Sequence, residues 1–410
     1  MTRTALFLAY HFPPAGGPGV QRSAKFVKYL PAFGWRTAVV TATEQDHPVL
    51  DRTLERDIPA QTPVYRVRAH DIQMLRPQFE RLRLGKLLSA INVALYLPDS
   101  HRLWAFLARG AVRRAVAAEK PDLVYSTSAP FSAHLLGHWV HKTFGLPWVA
   151  DFRDPWSEDD LLPYYPGYRA LNRAMERRVL AAADHIITVS EPLVEMFARL
   201  SGRPRQDIAL IENGYDEDDA PALPPPQTER FTITYTGEFS RIRLPDTFIA
   251  AVDRLIQGGE IPVDELRVAF AGKNTARFVP DRPPFEQLGY LDHTSLGDLR
   301  RASDLLLLIQ HDSYRGRGNF GGKFYEYLGS NRPTLAITGP DNAAAARLTA
   351  ARAGTAVSHD PAEIAAAILG YYRQWKQGVF DYAPDWDLIR QSTRRTQAGS
   401  LADVFESVLR

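Results

Sequence analysis

The sequence predicts an α/β protein with two domains of parallel β-strands. Its 410 residues are enough for two domains of ordinary size. Short apolar runs bounded by turn residues recur along the chain, as at residues 304–309 and 334–337, and such runs are typical of buried parallel strands. Stretches with helical periodicity separate these runs, which indicates that strands and helices alternate.

A strand, a glycine-rich loop and a helix open the chain. Residues 4–10 form the first predicted strand, Gly17 and Gly19 lie in the loop after it, and residues 37–41 form the second strand. This order is typical of the start of a Rossmann-like domain. The loop lacks the third glycine of a dinucleotide fingerprint, so we expect it to close on a phosphate or a sugar and not to serve hydride transfer.

The helix between these two strands covers about residues 21–30. Its periodicity directs Phe26 and Leu30 inward and predicts that its cationic side chains face solvent. Those cationic residues are Arg22, Lys25 and Lys28.

Residues 81–114 are amphipathic and basic. Seven Lys and Arg residues stand against the single acid Asp99, and apolar residues interleave with them. Such a stretch suits contact with an anionic membrane surface. Two solvent-facing helices of an α/β domain give the same pattern, so both interpretations stay open.

Charged residues follow a predicted strand at residues 146–150. Asp151, Arg153 and Asp154 stand at its C-terminal end, where open α/β sheets bind their ligands. Two carboxylates and an arginine so close together suit orienting a sugar hydroxyl, accepting a proton or steadying a leaving phosphate. The alternative is an ion pair that fixes the loop, with Trp156 covering the core.

An acidic, proline-rich stretch at residues 217–226 is the predicted linker between the domains. Asp216 and Asp218 have the spacing of a metal-binding pair but lie in a solvated acidic run, so we predict no metal site. The loop after the first strand of the second domain carries Arg241 and Arg243, close to the start of a helix. Guanidinium groups in that position are candidate phosphate ligands.

Residues 318–333 form a glycine-rich turn and one short helix between two predicted strands. Lys323 and Glu326 share a helix face at i, i+3 spacing, and Phe324 and Leu328 are expected to pack on the sheet. A cation beside the free N–H groups of a helix start suits a diphosphate, and the carboxylate suits a pair of sugar hydroxyls. The alternative is a polar turn with a surface ion pair.

Composition excludes several classes of function. The net charge of +2 gives no argument for nucleic acid, and no nucleic-acid-binding signature is present. Without cysteine the chain has no disulfide, thiolate zinc site or cysteine nucleophile, and we expect a cytoplasmic protein. No apolar run approaches the roughly 18 residues of a membrane span.

Several of these motifs, in this order and spacing, resemble those of glycosyltransferases of the two-Rossmann-domain class, GT-B, of the family 4-like type. The motifs that carry the resemblance lie at residues 10–14, 16–22, 151–156, 187–190, 213–216, 235–237, 289–291 and 321–333. Together they span nearly the whole chain.

The resemblance implies two Rossmann-like domains that face a central cleft. Residues 1–215 would be the acceptor-side domain, residues 216–385 the nucleotide-sugar domain, and residues 386–410 a helix that crosses back toward the first domain. The implied activity is metal-independent, retaining transfer of a sugar from a UDP- or GDP-sugar to a hydroxyl acceptor, without a cofactor. The acceptor would be a glycan, a lipid-linked sugar or a small molecule, as in polysaccharide biosynthesis.

The resemblance also assigns donor contacts residue by residue. In this family the acid at Glu326 receives the ribose hydroxyls, Phe320 and Gly321 offer backbone amides to the diphosphate, and Tyr290 and Leu291 flank the base. One of the two loop arginines stands in for the diphosphate-binding pair. The implied donor-binding set is Gly17, Gly19, Arg241, Arg243, Tyr290, Leu291, Phe320, Gly321, Lys323 and Glu326.

Two positions depart from the family pattern. Gly318 stands where the family has a first acid, so the donor-sugar contact of that acid is missing or supplied elsewhere. Arg153 stands near the position of the usual histidine, and an arginine is no base at neutral pH. If Asp151 or Asp154 acts as the base, we expect inversion of the anomeric configuration. If Arg153 instead stabilises the leaving diphosphate, we expect a retaining mechanism.

Two alternative functions share this frame. A nucleotide-sugar epimerase would act on the donor without an acceptor. A non-catalytic nucleotide-sugar binder would bind the donor without releasing nucleoside diphosphate.

Overall fold

We describe the protein from a computed structural model. The structure describes residues 2–69, 97–159, 167–219, 228–239, 243–310, 321–339 and 342–410. The chain divides into two compact units. The first comprises Met1–Glu212 together with Gln397–Arg410, and the second comprises Asn213–Thr396.

A seven-stranded, all-parallel sheet forms the centre of the first unit. Its strands are β1 (Arg3–Leu8), β2 (Trp35–Ala42), β3 (Val64–Val67), β4 (Leu123–Thr127), β5 (Trp148–Phe152), β6 (His185–Thr188) and β7 (Ile208–Leu210). They lie in the order β3-β2-β1-β4-β5-β6-β7. The direction of the strand order reverses beside β1, which makes the C-terminal ends of β1 and β4 a topological switch point, where such sheets bind ligands.

Helices cover both faces of this sheet. They are α1 (Pro18–Tyr29), α2 (Arg102–Glu119), α3 (Ser132–Phe144), α4 (Tyr168–Ala182) and α5 (Glu191–Ser201), with the end of α12 (Arg394–Val408) packing from the C-terminus. Phe26 and Leu30 are buried with Phe405 on one face, whereas α2 to α5 contribute to the core on the other. The strands read as continuous apolar runs because both of their faces are buried.

The orientation predicted for the cationic residues of α1 was wrong for two of them. Arg22 and Lys25 are buried, each with a carboxylate as its partner. Lys25 lies 2.7 Å from Asp57, which also pairs with the more exposed Lys28. Periodicity separates apolar from polar positions, but it does not reveal that a carboxylate on another element neutralises a buried cation.

The second unit contains a six-stranded parallel sheet in the order β10-β9-β8-β11-β12-β13. Its strands are β8 (Phe231–Thr236), β9 (Leu266–Ala271), β10 (Phe285–Gly289), β11 (Leu305–Ile309), β12 (Thr334–Ile337) and β13 (Gly354–Val357). Its helices are α6 (Asp246–Gln257), α7 (His293–Arg301), α8 (Gly322–Gly329), α9 (Ala343–Ala350), α10 (Pro361–Gln377) and α11 (Trp386–Arg390).

Helix α8 lies in the crossover between β11 and β12, as the sequence predicts. The two flanking apolar runs pair directly, with Leu306 opposite Thr334 in the register. Phe324 and Leu328 are buried in the same cluster as Leu306. The predicted packing of α8 on the sheet is therefore confirmed, and the first turn of α8 is held at the C-terminal edge of the second sheet.

Candidate functional site

An ion pair buried in the first unit joins α1 to β5. Arg22 donates from Nε to one oxygen of Asp151 at 2.9 Å and from Nη2 to the other at 3.0 Å. Neither side chain is more than 1% exposed. The paired geometry satisfies both carboxylate oxygens with a planar fork, which is the strongest form of this interaction.

Asp151 is enclosed by further donors. Tyr125 donates its hydroxyl at 2.5 Å and Thr127 at 3.0 Å, both to the carboxylate. Burial raises the pKa of Asp151, but the charge and hydrogen bonds of Arg22, with help from Tyr125, lower it below the usual value. Asp151 is thus an ionised and enclosed carboxylate, which suits a positioning role and not proton transfer.

Arg22 also fixes the chain beyond β7. It donates to the carbonyls of Ile211 and Glu212, each at 2.8 Å. One guanidinium therefore connects α1, β5 and the end of the last strand.

The guanidinium of Arg153 donates hydrogen bonds to the backbone of two loops. It donates to the carbonyls of Ser128, Gly19 (2.7 Å) and Ala129 (3.3 Å). The Gly19 loop and the loop after β4 are thereby held together. Burial lowers the pKa of Arg153, and the charges of Asp151 and Asp154 oppose that effect, so the guanidinium keeps its positive charge at the C-terminal edge of the sheet.

The rest of this charged segment divides between core and surface. Asp154 is half-buried and forms no hydrogen bond or ion pair with any part of the chain that the structure describes. Trp156 is buried, stacks on Phe131 at 5.0 Å and donates to Asn172 at 2.8 Å. Trp156 covers the core, as the structural alternative for this segment predicts, but the buried ion pair runs from Asp151 to Arg22 and not to Arg153.

Three glycines mark the C-terminal edge of the second sheet. Gly237 follows β8 and donates to Ala271 at 2.7 Å, while Gly272 follows β9 and donates to Gly289 at 2.7 Å. Gly237 has a φ of +125°, a left-handed conformation that favours glycine. A Cβ there would lie 2.8 Å from the Lys323 ammonium, so the absence of a side chain at Gly237 leaves room for that ammonium.

Lys323 lies in the first turn of α8 with its ammonium buried. The nitrogen is 4.1 Å from the centroid of the Tyr235 ring and has no hydrogen-bond partner among the described residues. Burial lowers the pKa of Lys323 well below its usual value, Arg243 adds to that effect and Glu326 opposes it. A buried donor without an acceptor is costly unless a ligand supplies one.

Glu326 is held by a cation from another helix. Arg300 of α7 donates to its carboxylate at 2.9 Å, and both side chains are largely buried. The predicted alternative was a surface ion pair between Lys323 and Glu326, whereas the structure pairs Glu326 with Arg300. Arg300 fixes where the carboxylate lies.

Tyr290 presents an exposed aromatic ring just after β10. The residue is 40% exposed, and the Lys273 ammonium lies 5.7 Å from the ring centroid. Leu291 follows it and is half-buried. An exposed planar ring at a ligand-binding edge suits stacking with a planar group.

Each unit thus brings some of the predicted residues together. The first places Gly19 and Arg153 in contact, with Gly17 at the start of α1, and the second gathers Arg243, Lys323 and Glu326. The predictions for Gly318, Phe320 and Arg241 concern positions outside the described residues. Gly321 directly precedes α8 and is exposed.

Sequence reasoning missed Arg22 and Arg300. The signal for Arg22 was the buried aspartate at the end of a predicted strand, which requires a cationic partner. No local pattern pointed to Arg300, because its partner lies on a different helix.

Among the described residues, no group of three or more His, Asp or Glu side chains is arranged to hold a metal ion. The backbone N–H of Asp218 donates to Asp216 at 3.1 Å, so this acidic pair forms a local turn.

Comparisons with known proteins identify the fold. Residues 16–214 match the family described as the Glycosyl transferase 4-like domain. The chain has the GT-B fold, and the family match covers most of its first unit. The resemblance predicted from the sequence motifs is confirmed.

Solved structures of GT-B proteins align over nearly the full chain. A sucrose-phosphate synthase from Thermosynechococcus elongatus has 14% identity and a TM-score of 0.63, with 100% of this chain and 99% of that chain covered. HepE from Anabaena, in complex with UDP-glucose, has 15% identity and a TM-score of 0.63, with 98% of this chain and 99% of that chain covered. A UDP-N-acetylglucosamine 2-epimerase has 13% identity and a TM-score of 0.54, with 95% of this chain and 94% of that chain covered.

These neighbours confirm two Rossmann-like units, and at such low identity the likeness concerns the fold alone. A search of curated protein sequences returned no match. Every helix within the described residues is too short or too polar to traverse a lipid bilayer.

We expect Arg22→Met to lower the free energy of unfolding by about 3–5 kcal/mol, because it leaves Asp151 buried without a counter-charge. The native pKa of Asp151 lies below its unfolded value, so the pair stabilises the wild type above about pH 4 and this contribution is lost as the pH falls through the native pKa. Chemical denaturation at pH 7 and at lower pH measures both effects.

The matched control is Arg199→Met, which removes an ion pair with Glu158 whose arginine is 62% exposed. Exposed pairs contribute at most about 1 kcal/mol. Equal losses in the two variants would show that burial adds nothing to the Arg22–Asp151 pair.

Proposed function

We propose that this protein is a glycosyltransferase that moves a sugar from a nucleotide-diphosphate sugar to an acceptor hydroxyl without a metal ion. The observation that carries the proposal is the buried Lys323 ammonium, which has no acceptor among the described residues and lies beside the start of α8. The match of the first unit to the glycosyltransferase 4-like family supports the reaction class.

The diphosphate is the donor group that this edge suits best. Lys323 lies in the first turn of α8, directly after the exposed Gly321, and the charge of Arg243 acts on its ammonium. An anion there would supply the acceptor that the ammonium lacks, and the helix start favours negative charge. Phe320 and Arg241 remain predicted contributors from the neighbouring loops.

Glu326 is the proposed acceptor for the two ribose hydroxyls. Its carboxylate oxygens can accept hydrogen bonds from adjacent hydroxyls, and the hydrogen bond from Arg300 orients them. Tyr290 and Leu291 remain the proposed flank for the base, since the exposed tyrosine ring suits stacking.

In the first unit, we assign substrate contact to Arg153 and Asp154 and a positioning role to Asp151. The Arg153 charge suits stabilising the leaving diphosphate, which is the retaining alternative. The half-buried carboxylate of Asp154 suits accepting the proton of the acceptor hydroxyl, which is the inverting alternative. Determining the anomeric configuration of the product distinguishes the two. Gly17 and Gly19 remain proposed donor contacts from the loop that Arg153 holds.

Helix α2 contains the second part of the basic stretch that is predicted to contact a membrane. The first part, residues 81–96, lies outside the described residues. Its buried face packs on the core through Trp104 and Val112, so α2 is also the solvent-facing helix of the other interpretation. On its outer face Phe106 is 60% exposed, and Arg113 and Arg114 add two exposed positive charges. We propose that this face contacts an anionic lipid surface at the cytoplasmic side of a membrane, which suits a lipid-linked acceptor.

We expect Lys323→Met to weaken binding of UDP or GDP by about 10- to 100-fold, since it removes a charge-assisted hydrogen bond. Binding should also take up protons at pH 8, because the anion favours the charged form of an ammonium whose pKa is depressed. Calorimetry in two buffers of different ionisation enthalpy measures the affinity and the uptake together.

Lys376→Met, which removes an exposed lysine paired with Glu265, is the matched control and should leave both quantities unchanged. If neither nucleotide binds more weakly to the Lys323 variant, the diphosphate site is not at α8. If the wild type instead converts the donor sugar without any acceptor, the reaction is an epimerisation.

We expect Glu326→Gln to weaken UDP or GDP binding by about 10-fold and to leave the affinity for inorganic pyrophosphate unchanged. The ribose contact is lost, whereas the phosphate contacts remain. Isothermal titration with both ligands measures the difference, and a thermal-unfolding scan reports any destabilisation caused by leaving Arg300 without its carboxylate. Equal affinity of the variant and the wild type for the nucleotide would remove Glu326 from the ribose site.

We expect the protein to co-sediment with vesicles that contain phosphatidylglycerol and to be released by 0.5 M salt, as electrostatic attachment requires. Replacing Arg113 and Arg114 with Gln should reduce the bound fraction several-fold. The same change at Arg177 and Arg178, exposed on α4, is the control. If binding does not depend on anionic lipid and salt, or if no binding occurs, this face of α2 is not an electrostatic membrane-contact surface.

A further inference from the structure

Three histidines converge on one tyrosine at the C-terminal edge of the first sheet. His11 follows β1, His47 follows β2, and His101 directly precedes α2. Their ring centroids lie 4.9, 5.4 and 4.1 Å from that of Tyr10, which is itself buried. The three side chains come from separate segments of the sequence, so no local motif marks them. We refer to His11, His47 and His101 as the histidine cluster.

The cluster contains hydrogen-bonding capacity that the fold does not use. Nε2 of His47 is buried and has no hydrogen-bond partner within the described part of the chain. Nδ1 of His101 lies 3.2 Å from the hydroxyl of Ser100. A buried ring nitrogen without a partner is unfavourable, so a ligand that supplies one is stabilised.

The imidazoles of His11 and His47 are neutral at physiological pH. Burial lowers the pKa of His11 to about 3, with Arg153, His47 and His101 acting in the same direction and Asp99 opposing them. Burial also lowers the pKa of His47. Each neutral ring carries one N–H donor and one lone pair.

Nearby residues fix the cluster and connect it to Arg153. Asp99 accepts hydrogen bonds from the backbone of His101 at 2.9 Å and from the hydroxyl of Ser132 at 2.7 Å, which anchors the start of α2. A Cβ at Gly19 would lie 3.5 Å from the His11 ring and 3.8 Å from Nη2 of Arg153. The cluster and the proposed substrate-contacting arginine therefore border the same glycine.

We propose that His11, His47 and His101 form a binding subsite for the hydroxyl groups of a sugar acceptor. A hydroxyl both donates and accepts a hydrogen bond, which matches a neutral imidazole, whereas a phosphate offers acceptors only. The weak basicity of His11 suits holding a hydroxyl and not removing its proton. The identity of the ligand as the acceptor rests on the proposed function, but binding of a hydroxyl-rich ligand does not.

The test follows the histidine ring signals by NMR. The full chain is labelled with ¹³C at the Cε1 position of its histidines and titrated separately with methyl glucoside, methyl galactoside, methyl mannoside and inorganic phosphate. We expect at least one glycoside to shift the signals of the histidine cluster selectively, and phosphate to leave them in place. His47→Leu should weaken the binding of that glycoside about 3- to 10-fold, and His47→Gln should retain most of the wild-type affinity. His359→Leu, in the second unit, is the control.

Absence of a selective shift with all three glycosides would overturn the proposal, as would a shift caused by phosphate alone. Equal weakening by His47→Leu and His47→Gln would also overturn it, because hydrogen bonding would then not matter at this position. The nucleotide titration of Lys323→Met is independent of these outcomes, so failure of the donor site and failure of this subsite are distinguishable.

Discussion

The buried ion pair between Arg22 and Asp151 is the interaction on which the first unit depends. A buried pair gains little net stability over apolar residues of the same shape, because removing two charges from water is costly. Its main effect here is to fix geometry. Arg22 ties α1, β5 and the chain after β7 together, and this holds the neighbouring Arg153 at the strand ends. The pair therefore lies beside Arg153, for which we propose contact with the substrate.

The second unit shows the opposite use of a buried charge. Lys323 is enclosed like Arg22, but no described carboxylate hydrogen-bonds to it. Glu326, one helical turn away, is held instead by Arg300. A charge that the fold pairs internally fixes structure, whereas one without an internal acceptor is available to a ligand. The contrast between Arg22 and Lys323 distinguishes a charge that supports the fold from one that we propose binds the donor.

Both units place their proposed ligand-contacting groups at the C-terminal edge of a parallel sheet. In the first unit these groups are Arg153 and the histidine cluster, in which Nε2 of His47 has no described partner, and in the second they include Lys323, whose ammonium has none either. Loops at this edge are free to vary while the strands below them are fixed by packing. The chemistry can therefore be built on a rigid base without disturbing the core.

The sequence by itself determined the alternation of strands and helices, the crossover that contains α8, and the inward face of α8 at Phe324 and Leu328. These features follow from local periodicity, which depends only on neighbouring residues. Only the tertiary structure decided that Arg22 is buried, that Arg300 is the partner of Glu326, and that three distant histidines meet at Tyr10. Charge partners and unsatisfied ring nitrogens depend on contacts between distant segments, and periodicity carries no information about them.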